Sequence, residues 1–250
     1  MFNANCREVK MNFCMSQDKG ENFFFESKHL QKKLIKKLND AHVVKEPFPH
    51  IFINNFLPND LRNLLITTIS ELEFKKFYEG AVPVYHLTDE SPATLLHFKD
   101  NILNRILTPF FNVKFEFMDL KKNIELDNIF GSIGKLDEVE YASIYFARNP
   151  AGGRIKMHLD DNFASFQYVF YFGYEDGGVA PTTDLLLSPR SNSGECSDDL
   201  TTKHCLNYGS TNNGLLVFAN TADSYHGLLT PLTKERWTLC VSAHYYHKNT

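Results

Sequence analysis

His158 and Asp160 stand two positions apart in IKMHLDD, and His226 follows much later in NTADSYHGLL. In an extended segment residues i and i+2 face the same way, so the first pair offers an imidazole and a carboxylate on one side. A second imidazole completes a set of two neutral nitrogens and one anionic oxygen. Such a set covers one face of an octahedron, leaves three positions open and suits non-heme Fe(II). The His-x-acid triplet carries little weight by itself. With ten histidines and 30 acidic residues in 250, one chance triplet is unsurprising. What surrounds it has to decide.

Arg236 opens the segment RWTLCVSAHYY, which follows His226 after a proline-containing connection. If this segment is a strand facing the same cavity, Arg236, Thr238, Cys240 and Ser242 alternate inward. A guanidinium there binds the distal carboxyl of a dicarboxylate in a two-pronged fashion, and Thr238 adds a hydroxyl donor. The other end of that dicarboxylate, a 2-oxo acid, chelates the metal through two of the open positions and leaves a place for dioxygen.

The elements that must position these residues fall into two halves. SKHLQKKLIKKLNDAH (Ser27–His42) has the period of a helix, with Leu30, Leu34, Ile35 and Leu38 as its apolar stripe and Ser27 as its N-cap. Lys32, Lys33, Lys36 and Lys37 form a basic, solvated face. PFPHIFINNFLPNDLRNLLITTI reads as a short strand, a turn and a helix opening near Pro58; a third helix begins at Ser91–Pro92 and runs towards Ile106. The second half holds short runs rich in β-branched and aromatic residues: EYASIYFA, FQYVFYFG, TDLLLS, GLLVFAN and RWTLCVSAHYY. Punctuated by Gly, Pro and Asn, they suggest a sandwich or jelly roll. The expected class is mainly β with flanking helices (α+β): helical support over 27–137 and a jelly-roll core over about 138–247. One domain spans 21–250 after a flexible tail of 1–20. The polar stretch Pro189–Asn213 reads as a long loop shaping a pocket.

Bulk properties narrow the class further. A hydrophobic content of 43% is ample for a core, and a net charge of −4 without a basic tract argues against nucleic acid as the partner. No apolar run has the length of a membrane span or the form of a signal peptide, so the expectation is a cytoplasmic protein away from the membrane. The five cysteines form an odd set without CxxC, and His204 with Cys196 and Cys205 fits no common zinc scheme. His244 and His247 read as strand-end residues.

Together these segments resemble the 2-oxoglutarate- and Fe(II)-dependent oxygenases, particularly their prolyl-4-hydroxylase-like branch. The pattern reads His158-Leu-Asp160, His226, then Arg236-Trp-Thr238. The flanks AGGRIKMHLDD, FQYVFYFGYEDGG, NTADSYHGLLTPL and PFPHIFINNFLP are similar to family segments too; the stretch from Lys75 to Leu136 matches none. The resemblance implies a double-stranded β-helix (jelly-roll) core in which His158, Asp160 and His226 hold Fe(II). Arg236 and Thr238, with Tyr145 on the preceding strand, bind 2-oxoglutarate, and ascorbate is a candidate reductant. It implies a dioxygenase that hydroxylates an unactivated C–H bond while 2-oxoglutarate becomes succinate and carbon dioxide. Asp160 points to hydroxylation rather than halogenation. The family pattern departs after the GG turn, where VAPTTDLLL and the polar stretch intervene, so no substrate carries over.

Arg154, two steps of two before His158, is a candidate contact for an anionic substrate against the plainer role of a solvated strand-end charge. A small polar metabolite, such as an amino acid or a biosynthetic intermediate, is the expected substrate beside dioxygen. A peptidyl proline is the alternative. Two other classes stand against the oxygenase: a non-catalytic jelly-roll binding module, and a zinc hydrolase with Asp161 as its base. Oligomeric state is not legible in the sequence.

Overall fold

The computed structural model describes residues 27–76, 81–107, 110, 138–160, 166–186, 205–220 and 224–246. The tail expected over 1–20, and Asp161, Cys196, His204 and His247, lie outside the described residues.

Helix α1 (Lys28–Asp40) buries Leu30, Leu34 and Leu38. Ile35, expected in the same stripe, is exposed, because the buried arc is only wide enough for the i, i+4, i+8 row. Ser27 stands at the N-cap position but its hydroxyl makes no cap bond; its carbonyl accepts the Gln31 N–H instead. Helix α2 (Asn59–Ser70) starts after Pro58 and buries Leu61, Leu65 and Ile69. Helix α3 (Ala93–Phe98) starts after Pro92 and runs on as a π-helical segment, Lys99–Leu107, whose Ile102, Leu103, Ile106 and Leu107 are buried.

The described strands, in chain order, are β1 (His50–Asn54), β2 (Val84–His86), β3 (Glu138–Asn149), β4 (Ile155–His158), β5 (Phe166–Tyr174), β6 (Ala180–Pro181), β7 (Asp184–Leu186), β8 (Cys205–Leu206), β9 (Ser210–Thr211), β10 (Gly214–Ala219), β11 (His226–Leu228) and β12 (Arg236–Tyr246). A six-stranded antiparallel sheet has the order β1-β10-β5-β12-β3-β2, and a four-stranded sheet has the order β4-β11-β7-β8. The two form a jelly roll. Both edges of the larger sheet come from the half expected to be helical support. The polar stretch expected to be loop up to Asn213 in fact returns to the barrel: β8 pairs with β7, and β9 pairs with β6.

Alternation along the strands of the larger sheet separates two environments. The outer face is one apolar seam. Phe166, Tyr168, Phe170 and Phe172 of β5, Trp237, Leu239 and Val241 of β12, and Ile144 and Phe146 of β3 join the buried helix residues there. The inner face carries Gln167, Val169 and Tyr171 of β5, Arg236, Thr238, Cys240 and Ser242 of β12, and Tyr145, Ala147 and Asn149 of β3. Leu216 and Phe218 of β10 close one end of the interior with Phe48, Tyr171 and Leu185. Outside the barrel, Arg148 lies over the rings of Phe74 and Trp237, at 4.2 and 4.9 Å from their centres, and donates to the last carbonyls of α2 at Ile69 and Ser70.

His50 is fully buried at the start of β1. Its Nδ1 lies 2.7 Å from the Phe48 carbonyl, which can only accept, so Nδ1 carries the proton and Nε2 accepts from the Tyr208 hydroxyl at 2.6 Å. Burial lowers the pKa of this imidazole below its ordinary 6.5. As pH falls through 6.5 the unfolded chain takes up a proton that the folded chain refuses, so stability is lost from there down to the folded pKa. Denaturant unfolding between about pH 8 and 5 is expected to show this decline. His50→Gln should flatten it by up to about one proton's worth of slope.

Candidate metal and co-substrate site

The site starts from a strand register. His226 of β11 is the direct cross-strand partner of His158 of β4, and the two rings lie 4.5 Å apart between centres. Asp160 follows β4 by two residues and turns its carboxylate between them: Oδ1 is 3.6 Å from His158 Nε2 and Oδ2 is 3.5 Å from His226 Nε2. One ligand atom from each residue lies within 4.8 Å of the others. Gly227 makes the approach of the two strands possible. A Cβ there would come within 2.7 Å of the Ile155 carbonyl and 3.0 Å of the Lys156 carbonyl.

Each imidazole is held in the tautomer that a metal needs. His158 Nδ1 lies 2.8 Å from the Lys156 carbonyl, and His226 Nδ1 lies 2.9 Å from the Ser224 carbonyl. Both Nδ1 atoms therefore donate, which leaves the Nε2 lone pairs directed at the cluster. Phe218 packs on His226, with 4.7 Å between ring centres. The Asp160 carboxylate favours the protonated form of His158, in which Nε2 donates to it, and so raises the pKa of His158, whereas burial lowers that of His226. Burial opposes the charge on Asp160, but hydrogen bonding from His158 and the nearby imidazoles outweigh it and hold the carboxyl below its usual range. Two neutral nitrogens and a carboxylate are the donor set of a non-heme Fe(II) centre, and these residues fit it.

The same cavity, about 530 Å³, is lined by the triad together with Arg236, Thr238 and Tyr145. Arg236 is buried, its Nη1 donates to the Pro181 carbonyl at 2.8 Å, and its Nε is buried without a hydrogen-bond partner. No carboxylate lies within ion-pair reach of it among the described residues. A buried guanidinium with an orphaned N–H is costly, and a ligand carboxylate meets that deficit. Asn149 donates to the Thr238 hydroxyl at 3.4 Å. The Cys240 thiol beside Tyr145, together with burial, pushes the phenol far above its ordinary range, so Tyr145 is a neutral hydroxyl. Arg154 is exposed and does not line the cavity, so the structure does not bring it to the site.

Several residues of the site were not singled out from the sequence. Tyr171, packed behind the cavity wall, faces Arg236, whose guanidinium carbon is 5.9 Å from the ring centre, and its hydroxyl donates to Thr183 at 2.6 Å. Gln167, Asn149 and His86 line the cavity. A tyrosine in FQYVFYFGY is hard to single out, because aromatic residues fall on both faces of that strand. Gln167 is its one polar interior residue, and that contrast was the available signal.

No family model matches the chain, and no curated protein matches it in sequence. Solved structures do share its architecture. A Pseudomonas putida prolyl-4-hydroxylase superposes with a TM-score of 0.50 at 16% identity, over 86% of this chain and 100% of that one. A Trichoplax adhaerens prolyl hydroxylase, solved with a peptide fragment of the oxygen degradation domain of hypoxia inducible factor, gives 0.48 at 12% identity over 92% of each chain. HygX from Streptomyces hygroscopicus, solved with nickel, 2-oxoglutarate and hygromycin B, gives 0.48 at 8% identity over 78% of this chain and 82% of that one. The fold is that of the Pseudomonas prolyl-4-hydroxylase, a double-stranded β-helix with helices packed on its larger sheet. Among the described residues no helix is long and apolar enough to cross a membrane.

His158→Ala and His226→Ala are each expected to weaken Fe(II) or Co(II) binding, measured by anaerobic calorimetry, by more than the roughly 10- to 100-fold that losing an outer partner costs. Gly227→Ala should also weaken binding, because it forces β11 from β4. Its cost to folding should be about 1–3 kcal/mol, read from denaturant unfolding.

Proposed function

We propose that the chain is an Fe(II)- and 2-oxoglutarate-dependent dioxygenase that hydroxylates an unactivated C–H bond of a small polar metabolite. The observation that carries this reading is the pairing, within one cavity, of the His158–Asp160–His226 cluster with a buried guanidinium whose Nε has no partner. A binding module needs neither, and a zinc hydrolase has no use for the second.

In this reading His158, Asp160 and His226 hold the iron, which when bound supplies dioxygen activation coupled to decarboxylation of the 2-oxo acid. Arg236 binds the distal carboxylate of 2-oxoglutarate, with Thr238 as its hydroxyl neighbour. Tyr145, kept neutral, offers a hydrogen bond without adding charge beside Asp160. The balance is one substrate C–H, one dioxygen and one 2-oxoglutarate giving one C–OH, one succinate and one carbon dioxide. Apart from the triad, His86 and Arg236, the described lining residues are uncharged, among them Gln167 and Ser242. A cavity of about 530 Å³ is within the size range of small-molecule sites and also has to hold the co-substrate. That combination supports a small polar substrate over a bulky one, without assistance from Arg154.

Anaerobic addition of Fe(II) and 2-oxoglutarate should give a visible metal-to-ligand charge-transfer band, and aerobic addition should give succinate. No band with the metal bound would exclude the oxygenase. Succinate formation stimulated by proline-containing peptides, but by no small polar metabolite, would replace the metabolite with a peptidyl substrate. Arg236→Ala should raise the 2-oxoglutarate requirement by roughly 30- to 150-fold, about 2–3 kcal/mol, with little change in the iron requirement. Arg236→Lys should recover part of the loss, since an ammonium cannot reproduce the fork.

A further inference from the structure

Each of the two histidines has a protein group fixing its orientation: a backbone carbonyl on Nδ1, and for His226 also the Phe218 ring. A carboxylate has freer torsions than a hydrogen-bonded imidazole, and Asp160 lies beyond the end of β4, outside the strand ladder. Something else must hold it. The inner face of β5 supplies one residue able to do so. Gln167 is buried, although a buried amide is costly unless both its ends are engaged. Its cross-strand partner on β12 is Ser242, whose hydroxyl donates to Gln167 Oε1 at 2.9 Å. With Oε1 accepting, the NH₂ end is the one that faces away from Ser242, into the cavity that Asp160 also lines, and Gln167 is among the groups that hold the Asp160 carboxyl below its usual range. Serine and glutamine thus form a directed pair that reaches from the large sheet towards the cavity lined by Asp160.

We infer that Gln167, oriented by Ser242, is a positioning residue that fixes the Asp160 carboxylate for metal binding. The inference rests on the proposed Fe(II) site and adds to it a residue outside the ligand set. A carboxylate that lends one oxygen to a cation keeps a second oxygen in need of a donor, and the glutamine amide provides one without competing for the metal. Ser242 acts one step further out, by deciding which end of the amide faces the aspartate.

The test compares wild type with Gln167→Met, which keeps the length but removes the amide, and with Ser242→Ala, which removes only the orienting bond. Co(II) is titrated anaerobically into each metal-free protein by calorimetry, and the Co(II) d–d spectrum is recorded; apo-protein unfolding is measured alongside. Gln167→Met should lose roughly 10- to 100-fold in Co(II) affinity and change the d–d spectrum. Ser242→Ala should show a smaller loss in the same direction, and Ser242→Thr should restore binding. Affinities and spectra unchanged in both Gln167→Met and Ser242→Ala, with wild type binding Co(II), would overturn the positioning role and leave the metal site standing. A loss of affinity matched by a loss of apo-protein stability, with the d–d spectrum unchanged, would also overturn it, as a merely structural effect. Wild type that binds no Co(II) or Fe(II) would overturn both this inference and the proposed function.

Discussion

The pairing of β4 with β11 is the constraint on which the site depends. Because His158 and His226 face each other across this ladder, two residues distant in sequence present their rings at van der Waals range, and Asp160 needs only a two-residue overshoot to reach both. The small sheet alone cannot hold that geometry. It is short, its pairing is irregular after His226, and it is steadied from the large sheet, where Phe218 packs on His226. His158 and His226 on one sheet and Phe218 on the other make the closed barrel, rather than either layer, the unit that shapes the cluster.

The large sheet also settles where charge is tolerated. Arg236 sits at the start of β12, deep in the interior, and is partly compensated by a carbonyl and an aromatic face. Burial lowers its pKa relative to a solvated arginine, but a guanidinium starts so high that it stays protonated. The cavity therefore has a fixed positive wall and, across it, a carboxylate flanked by imidazoles. That separation of charge is suited to a ligand with an anionic end and a chelating end.

Much of this was legible in the sequence, for a definite reason. A period of two projects residues 158 and 160, and residues 236, 238, 240 and 242, each onto one face whatever the details of the fold. The triad spacing and the interior row of β12 needed only that rule. Other parts had no such signature. β5 is buried on both sides, so aromatic residues occupy both faces and Tyr171 is indistinguishable from core. β1 and β2 are short and lie among helices, and nothing local shows that they close the edges of a sheet built mostly from the other half. The strands at 205–206 and 210–211 are two residues long, too short for any period to appear, and their pairing is set by distant partners. Arg154 is exposed just before β4 and does not line the cavity, so parity alone does not carry a side chain there.

Parity along β12 has a further consequence for how such a protein can change. The inner row (Arg236, Thr238, Cys240, Ser242) faces the cavity, while the outer row (Trp237, Leu239, Val241, Ala243) is locked into the helices and, through Trp237, onto Arg148. Two independent texts are interleaved on one strand. Point substitutions in the inner text can alter what the cavity accepts while leaving the outer text, and hence folding, intact. Insertion or deletion of a single residue exchanges the two, sending indole and leucine into the cavity and a guanidinium into the core. Drift by substitution is open to this strand, and drift in length is closed.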